Sequence, residues 1–130
     1  MESLKIRTGE VRIRILDDRD EERGIFKFNP EDIETTKKFL NVQKEFEVKQ
    51  KEFLDKSEMC TTPDEKIELL SEIVDYLKTT IDDCFGQGSS QILFGDSCSL
   101  TMFEDFFEGI TPYYEQASKA RVEKYKNKLK

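Results

Sequence analysis

The chain contains no histidine, and that absence takes away the commonest general base and the usual activator of a nucleophilic serine or cysteine. Its three cysteines, Cys60, Cys84 and Cys98, are odd in number and widely spaced, with no Cys-x-x-Cys pair. A zinc site would need all three thiolates and a carboxylate, so the expectation is buried free thiols in a reducing compartment, with no metal and no cofactor. No apolar run is long enough to span a bilayer, and Met1 to Arg7 lacks the apolar stretch of a signal peptide. A soluble intracellular protein without a membrane partner is expected.

Apolar residues are scarce as well, at 36% against 38% charged, a balance that suits helices with long solvated faces. At 130 residues the chain has the length of one domain, 1–130, with a single core. Charge is distributed unevenly. Lys119 to Lys130 holds six basic residues and one acid, so the remainder carries a net charge of −12 out of the total of −7. An acidic body repels nucleic acid, and a basic run at a helix C-terminus is accounted for by the helix dipole and by solvation.

Three prolines each follow a residue suited to capping: Asn29-Pro30, Thr62-Pro63 and Thr111-Pro112. Proline at the first helical position loses no intrahelical hydrogen bond, so each pair predicts a helix start. Glu31, Asp32, Asp64 and Glu65 follow the first two where the helix dipole favours acids, and Thr62-x-x-Glu65 reads as a capping box. Ahead of the first helix, Val11, Ile13 and Ile15 alternate with Arg12 and Arg14, a half-buried strand, and Ile25, Phe26 and Phe28 suggest its partner. The polar run Asp17 to Gly24 becomes the hairpin loop. Its spacing fails the EF-hand pattern, because the glycine falls one position late and Asn29 stands where a bidentate glutamate belongs.

A first helix is expected from Pro30 to about Lys56, with Phe39, Val42, Phe46 and Phe53 on one stripe. Lys49 interrupts the heptad seam, which favours packing onto the domain over an extended coiled coil. The second, Pro63 to Phe85, repeats Ile67, Leu70, Val74, Leu77 and Ile81 at helical spacing, widened by Leu69 and Ile73, and Gly86 ends it. Asp82-Asp83-Cys84 sets two carboxylates beside a thiol. Neighbouring helical residues point in different directions and nothing nearby lowers the thiol pKa, so no catalytic residue is assigned.

Phe85 to Tyr114 concentrates 7 of the 14 aromatics and 4 of the 6 glycines, with no basic residue. Gly86-Gln87-Gly88-Ser89-Ser90 invites comparison with a phosphate loop, but Gln91 stands where Gly-x-Gly-x-x-Gly needs glycine and there is no Gly-Lys-Ser/Thr. A turn capped by Ser89 or Ser90, with a short helix through Phe94, is expected instead. Ser97 or Ser99 then caps another helix with an unusually wide apolar face. Leu100, Phe103 and Phe107 are assigned to the core. Phe106, Tyr113 and Tyr114, with Met102 beside them, are the candidate partner-binding residues, since aromatics are enriched at interfaces. The expected fold is α+β and mainly helical: a β-hairpin over 1–28, a three- to four-helix bundle over 29–118 and a basic helix end or tail over 119–130.

The order Asp82-Asp83-Cys84-Phe85-Gly86-Gln87-Gly88, then Ser89-Ser90-Gln91-Ile92-Leu93-Phe94-Gly95, then Ser99-Leu100-Thr101-Met102-Phe103-Glu104-Asp105-Phe106-Phe107-Glu108, resembles the C-terminal half of siphophage tail assembly chaperones. The hairpin, polar middle helix and Lys-rich ending fit the same pattern. The resemblance implies a binding protein without enzymatic activity. It would associate with the tape measure protein, keep it soluble, recruit tail tube protein, self-associate along its client in the bacterial cytoplasm and be absent from the mature virion. A programmed frameshift near the Lys-rich end would accompany a longer form. The alternative is a structural tail or head-tail connector protein retained in the particle.

Overall fold

The computed structural model describes residues 1–129 and orders them as two strands followed by four helices: β1 (Val11–Leu16), β2 (Glu22–Phe28), α1 (Ile33–Ser57), α2 (Pro63–Phe85), α3 (Ser89–Phe94) and α4 (Thr101–Leu129). The α+β, mainly helical expectation holds. Lys130, the last residue of the basic ending, lies outside the described residues.

β1 and β2 pair antiparallel with Ile13 opposite Phe26 and Val11 opposite Phe28. The alternation therefore delivers one apolar face to the helices and leaves Arg12 and Arg14 in solvent. The loop is shorter than the sequence suggests, because Glu22 to Gly24 join β2. Asp17 closes it: its Oδ1 accepts from the amides of Arg19 (2.8 Å) and Glu21 (3.0 Å). Those two backbone bonds hold the Asp17 carboxyl below its usual pKa. Gly24 has a φ of +152° and lies under α3, where a Cβ would meet Ile92 Cγ2 at 3.3 Å. A side chain there would be strained by the backbone conformation and would crowd Ile92 of α3.

Two of the three proline readings need correction. Thr62 does cap α2: its hydroxyl accepts from the Glu65 amide at 3.2 Å, while Glu65 reaches back to the Thr61 amide at 2.9 Å. At Asn29-Pro30, however, the chain turns before the helix begins. The side-chain oxygen of Asn29 accepts from the Glu31 amide, and Asp32 supplies the cap through bonds from the Glu34 and Thr35 amides. Thr111-Pro112 starts nothing and sits inside α4. Proline there deprives the Glu108 carbonyl of its partner. Glu108, Gly109 and Pro112 are all exposed, so that carbonyl lies on the solvent side of the helix, while buried Ile110 and Tyr114 on the opposite side hold the helix in register.

The core collects at the end of the helical body where the hairpin and α3 meet the long helices. Phe26, Phe39, Phe103, Leu77, Ile81, Ile110 and Val74 are its fully buried members. α1 and α2 form an antiparallel pair: Phe39 meets Phe85 near one end, and Glu45 accepts a hydrogen bond from the Tyr76 hydroxyl (2.9 Å) further along. The α2 stripe is buried only from Ile73 onward. Ile67, assigned to it from spacing, is 66% exposed because the first turns of α2 run past the aromatic centre. Leu100, Phe107 and Phe53 pack against the core as half-buried residues, and Phe103 is fully inside. No helix among the described residues is long and apolar enough to cross a membrane.

α3 is held by a residue whose part the sequence did not disclose. Neither Ser89 nor Ser90 caps it; the N-cap position is Gly88, which has no side chain. Asp82 reaches over from the end of α2, accepting from the Ser90 amide (2.8 Å) and the Ser90 hydroxyl (3.1 Å). The helix start is thereby tied to the preceding helix instead of to its own loop.

Candidate partner-binding surface

The four candidate partner residues divide between core and surface. Phe106 is buried, with its ring against Phe26 (5.7 Å between centroids), Phe85 (5.8 Å), Phe94 (6.0 Å) and Phe107 (5.4 Å). Tyr114 is only 7% exposed and stacks flat on Phe39 at 4.2 Å. The expectation that these two face a partner is corrected. Their side of α4 is the one that meets both α1 and the hairpin, so the greater part of the wide apolar face is used for folding.

Met102 and Tyr113 remain at the surface. Met102 is half-buried against the core, and Tyr113 is 37% exposed with its ring edge-on to Phe28 at 5.3 Å. They stand 11 residues apart on α4, three turns, and therefore share one side of it. Gly109, exposed, lies on the same line between them, and apart from its chain neighbours and the adjacent helix backbone nothing lies within 4 Å of where its Cβ would be. A partner backbone can approach this strip closely.

A second surface, unmarked by the sequence reading, lies between α1 and α4. These helices run antiparallel and are strapped together at two points: Gln43 donates to the Thr111 hydroxyl (3.2 Å) and Gln50 to the Glu104 carboxylate (3.3 Å). Between the straps the helices leave a groove of about 400 Å³. Phe46 and Phe107, 5.2 Å apart between ring centroids, form its floor, and Glu47, Glu104 and Glu108 stand at its edges. No lysine or arginine lines it. Its signal in the sequence is the absence of any basic residue in α4 before Lys119.

Beyond Tyr114, α4 outgrows the body. Arg121 still touches it, donating to the Glu31 carbonyl at 3.1 Å. After that Val122 (50% exposed), Tyr125 (57%) and Leu129 (89%) form an i, i+3, i+7 stripe flanked by Lys124, Lys126 and Lys128. The same periodicity was open to reading in the sequence.

The thiols do not converge. Cys84 is buried, Cys60 half-buried and Cys98 exposed, so the expectation of three buried thiols holds for one of them. Among the described residues, no group of three or more Cys, Asp or Glu is placed to hold a metal ion. Burial raises the Cys84 thiol from 9.0 to about 11, opposed only weakly by Lys38. Burial also raises the Tyr114 phenol above its ordinary value, with smaller contributions from Cys84 and Asp32. The Tyr114 hydroxyl is the buried side-chain polar atom that finds no hydrogen-bond partner among the described residues. Asp82, beside Cys84 in sequence, is occupied in capping α3.

Residues 23–130 match a family of unknown function (DUF6673), and the chain belongs to that family. No curated protein and no solved structure matches it.

Proposed function

We propose that this protein is a non-enzymatic assembly chaperone of a phage tail. It binds the tape measure protein in the host cytoplasm, keeps that long helical client soluble and helps bring tail tube subunits to it. The observation that carries the reading is the outer strip of α4. Met102, Gly109 and Tyr113 line up on a rigid helix, with an aromatic ring still available at one end and an approachable backbone in the middle. Such a strip suits an amphipathic helix laid across it, a mode in which apolar anchors recur every three or four residues. The acidic body supports the same role, because net charge keeps a client complex in solution. The resemblance of the Asp82 to Glu108 segments to tail assembly chaperones supplies the identity of the client.

Co-expression with a tape measure protein from the same genome tests the proposal. The expected result is a soluble complex, lost with Met102→Ala/Tyr113→Ala. No complex and no gain in solubility would refute it, and finding the chain at stoichiometric levels in purified virions would favour the connector protein instead.

A further inference from the structure

We propose that the projecting basic end of α4 is a docking helix for a second copy of this chain, and that it seats in the groove between that copy's α1 and α4. The two surfaces are matched in shape and in charge. The groove offers an aromatic floor, Phe46 and Phe107, between the carboxylates of Glu47, Glu104 and Glu108. The helix end offers an exposed apolar stripe, Val122, Tyr125 and Leu129, with Lys124, Lys126 and Lys128 beside it. Laid in the groove, the stripe covers the two phenyl rings and the ammonium groups reach the glutamates, the arrangement of a helix anchored in an apolar trough with a charged rim.

The docking helix cannot serve its own groove. Phe107 and Tyr125 lie on the same helix, 18 residues and about 27 Å apart along its axis at 1.5 Å per residue. They also lie on the same side of it, since 18 residues make five whole turns. Phe107 belongs to the stripe that meets α1, so Tyr125 continues that stripe at the edge of the body, where Glu31 lines a cavity with it and it still stays 57% exposed. A neighbouring copy has the complementary trough. Because donor and acceptor are different patches, the contact is head-to-tail, and it propagates into a ring or an open row instead of closing as a twofold dimer. This inference stands independently of the client: it concerns how copies meet, whichever protein they serve.

The experiment uses the full chain in sedimentation velocity. The wild type should show species heavier than a monomer that grow with concentration, and raising salt from about 0.02 M to about 0.5 M should shift them toward monomer, because the rim charges are solvent-exposed. Glu104→Lys/Glu108→Lys, which reverses the groove, and Lys124→Glu/Lys126→Glu/Lys128→Glu, which reverses the helix end, should each weaken association by about tenfold or more while keeping the wild-type circular dichroism spectrum. Mixed together, the two variants should regain species that grow with concentration, since the unchanged helix end fits the unchanged groove and the reversed helix end fits the reversed groove. A chain that is monomeric at low salt overturns the proposal. So does association that survives both reversals, or variants that fail to complement. If charge reversal disturbs folding, Tyr125→Ser/Leu129→Ser, at two exposed positions, must still lower association.

Discussion

Replacing Tyr114 by phenylalanine should stabilise the protein. The ring itself is well placed, stacked on Phe39 with centroids 4.2 Å apart and planes 4° from parallel, and lying 6.0 Å from Phe28. Only the hydroxyl is out of place: it is buried, and no donor or acceptor among the described residues meets it. Desolvating a hydroxyl without a compensating bond costs about 1 to 3 kcal/mol on the scale set by protein mutants. Phenylalanine keeps the stacking and loses one atom's worth of packing, so a net gain of about 1 kcal/mol is expected. With a urea m-value of about 2 kcal/mol per molar, that moves the unfolding midpoint up by about 0.5 M at unchanged slope. Tyr113→Phe, at the surface, should leave it in place. A second readout separates this reasoning from a general packing effect. In the wild type, one of the four tyrosines should resist ionisation in an absorbance titration until the chain unfolds, and Tyr114→Phe should remove that late step. A loss of 1 kcal/mol or more in Tyr114→Phe would refute the argument by showing that the hydroxyl has a partner.

Phe106→Ala should cost about 3 to 5 kcal/mol in denaturant unfolding, as a truncation inside a cluster of four other rings; a cost below about 1 kcal/mol would return Phe106 to the surface set. Met102→Ala and Tyr113→Ala should each stay within about 1.5 kcal/mol of wild type, separating contact residues from core. Asp82→Ala should lose about 1 to 2 kcal/mol and show first as faster amide exchange at Ser90, where the carboxylate receives the amide. Among the thiols, Cys98 should react with a disulfide reagent at once and Cys84 only on unfolding. The folded state holds the Cys84 thiol and the Tyr114 phenol neutral, so their contribution is complete below pH 9. The Cys84 part is lost as pH rises from 9 toward 11 and the Tyr114 part from 10 upward, because the unfolded chain releases protons that the folded one keeps; an alkaline unfolding curve flat across pH 9 to 11 would contradict it.

Local chemistry proved legible in the sequence where it was also sufficient. Thr62-Pro63 places every signal for a helix start within four residues, and α2 runs from Pro63 to Phe85 as its pattern implies. The strand alternation of Val11, Ile13 and Ile15 likewise fixes its own inward face. Thr111-Pro112 has the same local signals as Thr62-Pro63, yet Phe106, Ile110 and Tyr114 are spaced to continue the helix through it, and packing on both sides outweighs a proline facing water. Asp82 shows the converse. Its carboxylate caps α3 from eight residues away, a relation created by the turn at Gly86 to Gly88 and visible only once the chain has folded. The same limit separates Phe106 from Tyr113. Helical spacing places both on a broad aromatic face, but which part of that face α1 and the hairpin cover is a tertiary fact.

That α4 is one helix, and not a core helix followed by a loose tail, changes what the charge asymmetry can do. A flexible basic tail would fold back onto the acidic body and neutralise it locally. On a continuous helix pinned at Ile110, Tyr114 and Arg121, the lysines at positions 124, 126 and 128 are held away from Glu104 and Glu108 at the other end. Within one molecule the opposite charges are kept apart by the stiffness of the helix, and a Debye length of about 8 Å at physiological salt leaves little attraction across about 27 Å. Their attraction is then available only between molecules, where it acts at contact distance. Rigidity thus makes an uneven sequence polar in the geometric sense, with a distinct giving end and receiving side, which is the polarity the proposed head-to-tail contact requires.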